Sequence, residues 1–162
     1  MGDAAREQRF LALVNANRGR LVRIARAYAG TEWNDLHQEI LLQIWRGLDS
    51  FAQRSSASTW LYRVALNTAL TWRRKAAPAE RTVVAGSDFS RDPVGATGPQ
   101  DPMLVLDEFL ASLNTADRAI LLLYLEDVTY ADIAEVTGLS ENNVGVRLSR
   151  LKRAFMGRYI GD

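Results

Sequence analysis

The sequence predicts an all-α protein of two small helical domains joined by a flexible linker containing proline and glycine, the second domain carrying a helix-turn-helix. Three observations support this. Apolar residues recur at helical spacing, roughly 100° per residue, with no strand-like alternation of any length. All four prolines, Pro78, Pro93, Pro99 and Pro102, fall between Ala76 and Pro102, together with Gly86, Gly95 and Gly98. So long a connection without structure is unusual inside one compact domain and marks a tether between two. The segment "TYADIAEVTGLSENNVGVRLSRLKRAF" reads as helix, glycine turn, cap and helix. The expected boundaries are 1–75 and 103–162 for the domains and 76–102 for the linker.

In the first domain, Phe10, Leu13, Val14, Leu21, Ile24, Ala25 and Tyr28 predict a helix over 6–29. Leu36, Ile40, Ile44 and Leu48 predict another over 33–48, and a short turn near Phe51 leads to a third over 58–75. In the second domain helices are expected over 104–113, 115–125, 130–137 and 141–159. Their starts carry capping signals: Asn114 with Asp117 three residues on, Thr129 with Asp132 three on, and Ser140 followed by Glu141. Gly138 supplies the backbone freedom for the turn between the last two helices.

Composition narrows the chemistry. The 162 residues are 48% apolar and 24% charged, ordinary values for a soluble globular chain. No run approaches the ~18 to 20 apolar residues of a membrane span, and the N-terminus lacks the apolar stretch of a secretory signal. A cytoplasmic protein without membrane insertion is therefore expected. Arg6 stands where a myristoylation motif requires Ser or Thr. With no cysteine and a single histidine, His37, there is no basis for a disulfide, a thiol nucleophile, a cysteine- or histidine-ligated metal site or a Ser-His-Asp constellation, and no glycine-rich phosphate loop occurs. Catalytic residues, metal and cofactor are all expected to be absent, so binding is the expected function.

The charge is uneven. Residues 1–75 hold twelve basic against six acidic side chains, although the whole chain carries only +1. Arg147, Arg150, Lys152, Arg153 and Arg158 then cluster with no carboxylate between Glu141 and Asp162. Local basic surfaces on a near-neutral chain point to polyanion contacts at defined places.

Three helix faces carry the candidate contacts. On the helix over 58–75, Leu61, Val64, Ala65, Thr68, Ala69 and Trp72 face a core, while Trp60, Arg63, Asn67, Leu70 and Arg74 face away. A line of indole, guanidinium and amide suits unpaired DNA: Trp60 can stack on a base, Arg63 and Arg74 can hold phosphates, and Asn67 can bond a base edge. On the helix over 141–159, Val144, Leu148, Leu151 and Phe155 form an apolar stripe opposite Asn142, Asn143, Val146, Ser149, Arg150 and Arg153, with Arg147 on the flank. Asparagine pairs bidentately with adenine, arginine with guanine, and a small apolar group touches a thymine methyl, so this is the composition of a duplex reader. Gly145 costs this helix ~1 kcal/mol against alanine and suits close approach of backbone to DNA. On the helix over 33–48, Asp35, Gln38, Glu39, Leu42, Arg46 and Asp49 share one face, and Leu42 is an apolar centre in a polar ridge, as protein docking surfaces tend to show.

Together these residues resemble the extracytoplasmic-function group of bacterial RNA polymerase sigma factors, over almost the whole chain. "WNDLHQEILLQIWRGLDSF" is similar to the family's polymerase-docking segment, "STWLYRVALNTALTWRR" to its minus-ten helix, and "SLNTADRAILLLYLEDVTYADIAEVTGLSENNVGVRLSRLKRAF" to its minus-thirty-five domain. The resemblance implies a dissociable promoter-specificity subunit that is not an enzyme. Its partners would be core RNA polymerase, through the β′ clamp helices and the β subunit, promoter DNA, and an anti-sigma factor. Asp35, Gln38, Glu39 and Leu42 would meet core polymerase, Asn67 a flipped base of the non-template strand, and the helix after Ser140 the upstream element. The chain departs from the family where Asn114 replaces a usual proline and where "NNVGVR" replaces the usual Gly-Thr-Val-basic-Ser-Arg pattern. A helix-turn-helix regulator binding duplex DNA by itself is the main rival, but it leaves the Trp60 to Arg74 face unexplained. A helical adaptor leaves the arginine clusters unexplained.

Overall fold

The computed structural model describes residues 2–51, 56–76 and 101–161. Among them every regular element is helical, and no helix is long and apolar enough to cross a membrane. The chain divides into two compact units, Met1–Glu80 and Arg81–Asp162. Of the tether expected over 76–102, residues 77–100 lie outside the described residues.

The first unit contains α1 (Asp3–Ala16), α2 (Arg18–Ala29), α3 (Trp33–Gly47) and α4 (Ala57–Ala76), with 3-10 turns at Gly30–Glu32 and Leu48–Ser50. The single helix expected over 6–29 is thus two. The break is at Asn17, which is buried and whose Nδ2 donates to the Leu13 carbonyl at 2.9 Å. That carbonyl is the acceptor its own backbone N–H would use in a continuous helix, so the N–H turns to Val14 instead, at 3.2 Å. α1 therefore folds as a separate clasp. Arg6 donates to the Trp45 carbonyl at 2.7 Å, reaches Asp49 at 3.3 Å and lies 4.4 Å over the Trp45 ring, while Phe10 meets that ring edge-on. These contacts cap the C-terminal end of α3 with a cation, where the helix dipole favours one.

α2, α3 and α4 form the core. Leu21, Ile24 and Ala25 of α2, Leu36, Ile40 and Ile44 of α3, and Leu61, Ala65 and Ala69 of α4 are all buried. Ser56 starts α4 by accepting from the Thr59 backbone N–H at 3.1 Å. Tyr62 and Leu66 are buried as well, so the apolar arc of α4 is wider than the spacing argument drew it.

The second unit contains α5 (Pro102–Ser112), α6 (Thr115–Leu125), α7 (Tyr130–Thr137) and α8 (Glu141–Phe155), closed by a π-helical turn at Met156–Ile160. α5 starts two residues earlier than expected because Asp101 accepts from the Met103 backbone N–H at 3.0 Å and Pro102 occupies the first helical position. Asn114, Thr129 and Ser140 each cap the following helix through the residue three positions on. Gly138 takes the left-handed conformation, φ 79°, that the turn requires.

Ile120, Leu123, Ile133, Val144, Leu148 and Leu151 form the core of this unit. Beside them lies a fully buried arginine. Arg118 donates to the carbonyls of Leu110 at 2.8 Å, Ala111 at 3.1 Å and Leu113 at 2.9 Å. These carbonyls lie at and just past the C-terminal end of α5, where backbone donors run short; Leu110 also accepts from the Leu113 backbone N–H at 3.2 Å, and the guanidinium supplies the further donors. The wider turn after α8 seats Tyr159 edge-on to Phe109 at 6.1 Å.

Candidate nucleic-acid and docking surfaces

The α8 surface is the most fully built. Its buried stripe of Val144, Leu148 and Leu151 leaves Asn142, Ser149, Arg150 and Arg153 exposed, with Val146 among them at 48% exposure. Arg147 is placed differently from its neighbours. Its Nη1 lies 3.2 Å from Asp117 Oδ1 of α6, and its Nε donates to Asn143 Oδ1 at 3.4 Å. Lys152 lies 4.3 Å over the Tyr124 ring, and hydrogen bonding to the Tyr124 hydroxyl raises its pKa against a smaller opposing effect of desolvation. Arg158 donates to Ser112 and stacks near Tyr159. Of the five cations clustered in the sequence, Arg150, Lys152 and Arg153 are exposed, whereas Arg147 and Arg158 are half-buried. The Tyr130 ring flanks Gly145 at a distance that leaves room for a methyl group, so packing within the unit does not require glycine there.

On α4, Asn67 and Arg74 are exposed, whereas Arg63 and Leu70 are half-buried. Trp60 is not the freely solvated indole that the spacing implies. Its ring lies 5.1 Å from Phe51, tilted by 38°, and so close over Gly47 that a Cβ there would be 3.1 Å from it. Arg9 sits 5.7 Å over the other partner, Phe51. Arg9 and Phe51 also line an open groove of about 670 Å3 with Ala12, Leu13, Ala16, Asn17, Ala57 and Ser58. Sequence reasoning placed neither Arg9 nor Phe51 at this surface. The available signal was Phe51 itself, an aromatic residue in an otherwise polar connection.

On α3 the helical repeat brings Asp35, Gln38 and Leu42 together as exposed neighbours, with Leu42 39% exposed. Glu39 is half-buried and accepts from Gln43 at 3.0 Å. Asp49 is engaged by Arg6. His37 lies against Trp33, and burial, with the Arg18 guanidinium second, pushes its pKa below 6.5. It is therefore uncharged at neutral pH, and the outward ionic groups flanking Leu42 toward the N-terminus are carboxylates. Among the described residues no group of His, Asp and Glu could hold a metal ion.

Comparison with known proteins matches both units. A family model for sigma-70 region 2 matches residues 13–78, and one for sigma-70, region 4 matches residues 103–155. The ECF RNA polymerase sigma-E factor of Haemophilus influenzae is 31% identical over 133 residues, covering 73% of this chain and 69% of that protein. The ECF RNA polymerase sigma factor SigG of Mycobacterium tuberculosis is 32% identical over 147 residues, but the chain spans only 39% of its length. Among solved structures, the sigma factor RpoE in complex with the anti-sigma factor NepR from Bartonella quintana aligns with a TM-score of 0.71 at 21% identity, covering 96% of this chain and 97% of that one. CnrH in complex with the cytosolic domain of CnrY aligns with a TM-score of 0.67 at 20% identity, covering 96% and 90%. At such identities the structural likeness speaks for the fold.

Proposed function

The chain belongs to the ECF RNA polymerase sigma factors, and from that premise we propose that it binds core RNA polymerase, directs it to specific promoters and helps to melt the minus-ten region. The observation that carries this reading is the pairing of two unlike nucleic-acid faces on separately folded units. One, on α8, has the outward asparagine, arginine and valine set that reads duplex edges. The other, on α4, carries a docked aromatic pair with an exposed amide about two turns further along the helix and an exposed cation about two turns beyond that, a line that suits unstacked bases.

The parts then divide as follows. Asp35, Gln38, Glu39 and Leu42 dock on the β′ clamp helices, with the β subunit as a further contact of the chain. Trp60, Arg63, Asn67 and Arg74 engage the melted minus-ten strand, with Phe51 supporting the indole from behind. Asn142, Asn143, Val146, Ser149, Arg150 and Arg153 face the minus-thirty-five duplex, with Arg147 beneath them. The protein acts in the cytoplasm as a specificity subunit, without catalysis of its own. An anti-sigma factor is a further partner, a proposal supported by the NepR complex of the related fold.

Transcription from a mapped promoter by purified core polymerase, with and without this chain, tests the reading. Start-site-specific transcripts should appear only with the chain present, and tight promoter binding should require core. Tight binding to the promoter duplex by the chain alone would favour an independent helix-turn-helix regulator instead.

A further inference from the structure

A network beneath α8 bears on which base one of its side chains selects. Asn114 accepts from the Asp117 backbone N–H at 2.8 Å and donates its own amide to Asp117 Oδ2 at 3.1 Å. The other carboxylate oxygen, Oδ1, meets Arg147 Nη1 at 3.2 Å. The two charged side chains are 7% and 15% exposed, so water and salt screen the pair far less than a surface pair. Arg147 Nε then donates to Asn143 Oδ1 at 3.4 Å. A guanidinium N–H can only donate, so it settles which end of the Asn143 amide it faces: the oxygen turns to Arg147 and the NH2 turns away.

We propose that Arg147, held by Asp117, is a positioning residue that commits Asn143 to present its NH2 group to the major groove, so that Asn143 selects guanine rather than adenine in the upstream promoter element. This rests on α8 being the duplex reader. Adenine needs both ends of the amide at once, the oxygen for its N6 amine and the nitrogen for N7; the oxygen keeps a second lone pair beside the Arg147 bond, so adenine is disfavoured by the direction in which the amide is held and not by loss of its acceptor. Guanine offers two acceptors side by side, N7 and O6, which the two hydrogens of one NH2 group can reach.

The test is site selection from duplexes randomised over the upstream element and retained by the full chain bound to core polymerase. The natural chain should enrich guanine over adenine by about tenfold at one base pair. Asn143→Asp keeps an oxygen for Arg147 but replaces the NH2 with an acceptor, so the same pair should move to cytosine, whose N4 amine donates. Asp117→Asn should release Arg147 and bring adenine at least level with guanine, while circular dichroism and retention of scrambled duplex stay unchanged. If Asp117→Asn unfolds the domain, Asn143→Asp decides alone, since it changes one half-buried side chain and keeps the oxygen that Arg147 meets. Enrichment of adenine by the natural chain, or a pair that Asn143→Asp does not move, overturns the inference and leaves α8 as the duplex reader. Failure to enrich any base overturns both.

Discussion

α4 and α8 carry similar side chains, asparagine and arginine beside an apolar stripe, yet the protein restrains different members of each set. On α8 part of the polar face is tied, Arg147 to Asp117 and Asn143 to Arg147, while Asn142, Ser149, Arg150 and Arg153 stay exposed. On α4 the aromatic group is tied, Trp60 resting on Gly47 and Phe51, while Asn67 and Arg74 project. A duplex is a stiff surface with a set pattern of donors and acceptors, so a reader gains from polar groups already aimed. A melted strand has no set shape, and a fixed ring on which a base can stack supplies one. On the roles proposed for these faces, Asn143 and Arg147 are held where a duplex would be read, and Trp60 where a base would stack.

The largest expected effect removes both faces from DNA together. Asp35→Lys combined with Glu39→Lys should abolish co-purification with core polymerase while changing stability by no more than ~1 kcal/mol, about 0.5 for each substitution, since Asp35 is exposed and Glu39 half-buried. Retained binding by the double variant would remove the α3 ridge from the docking role.

Next comes the strand face alone. Asn67→Ala should leave docking and closed complexes near normal but slow open-complex formation by about tenfold to a hundredfold, the worth of capturing one unstacked base. A template already melted around the start site should restore much of the rate. Permanganate reactivity of unpaired thymines reports this directly, and an unchanged pattern in both Asn67→Ala and Trp60→Ala would give this face another purpose.

The duplex face should respond in a graded way. Arg150→Ala should cost ~1 to 3 kcal/mol at one or two upstream base pairs. Arg153→Ala should weaken all upstream sequences alike and reduce the salt slope by about one unit. Uniform losses in both variants would make α8 only a phosphate binder and end its contrast with α4.

The smallest effect is confined to the first unit. Because the His37 pKa is lowered in the folded chain, the unfolded chain binds more protons as pH falls below 6.5. Stability should therefore decline from about pH 6.5 downward and level off below the lowered folded value. His37→Gln should flatten that decline in urea melts compared at about pH 7.5 and 5.5. An identical slope in the variant would mean that burial of His37 costs its charged form nothing.

Much of this fold is legible in the sequence because its cues are local. Asn114, Thr129 and Ser140 cap groups three residues away, and the stripe of Val144, Leu148 and Leu151 repeats within one helix. What the sequence hides is set by residues distant in the chain or by a competition between bonds. The apolar spacing across 6–29 outweighed Asn15, Asn17 and Gly19, poor helix formers that mark the break. An arginine inside a helix reads as surface, and the burial of Arg118 follows only once α5 and α6 fold back on each other. Trp60 lies on the outer side of α4 by spacing alone, but Gly47 and Phe51 come from elsewhere to cover part of it. Asp117 and Arg147 are thirty residues apart, so nothing in the α8 segment itself reveals that one of its arginines is held by α6.

That last pairing sets the unit of transplantation. Residues 141–153 resemble a cassette that could be moved between helical scaffolds to transfer promoter preference. Yet Arg147 would arrive with a charge and no carboxylate to meet it, and Asn143 would lose the neighbour that orients it. A recipient would need an acidic residue at the start of its own preceding-but-one helix, fastened by a capping amide as Asp117 is by Asn114. The portable module is therefore α6 through α8, and swaps of the last helix alone should carry over affinity for DNA more readily than choice of sequence.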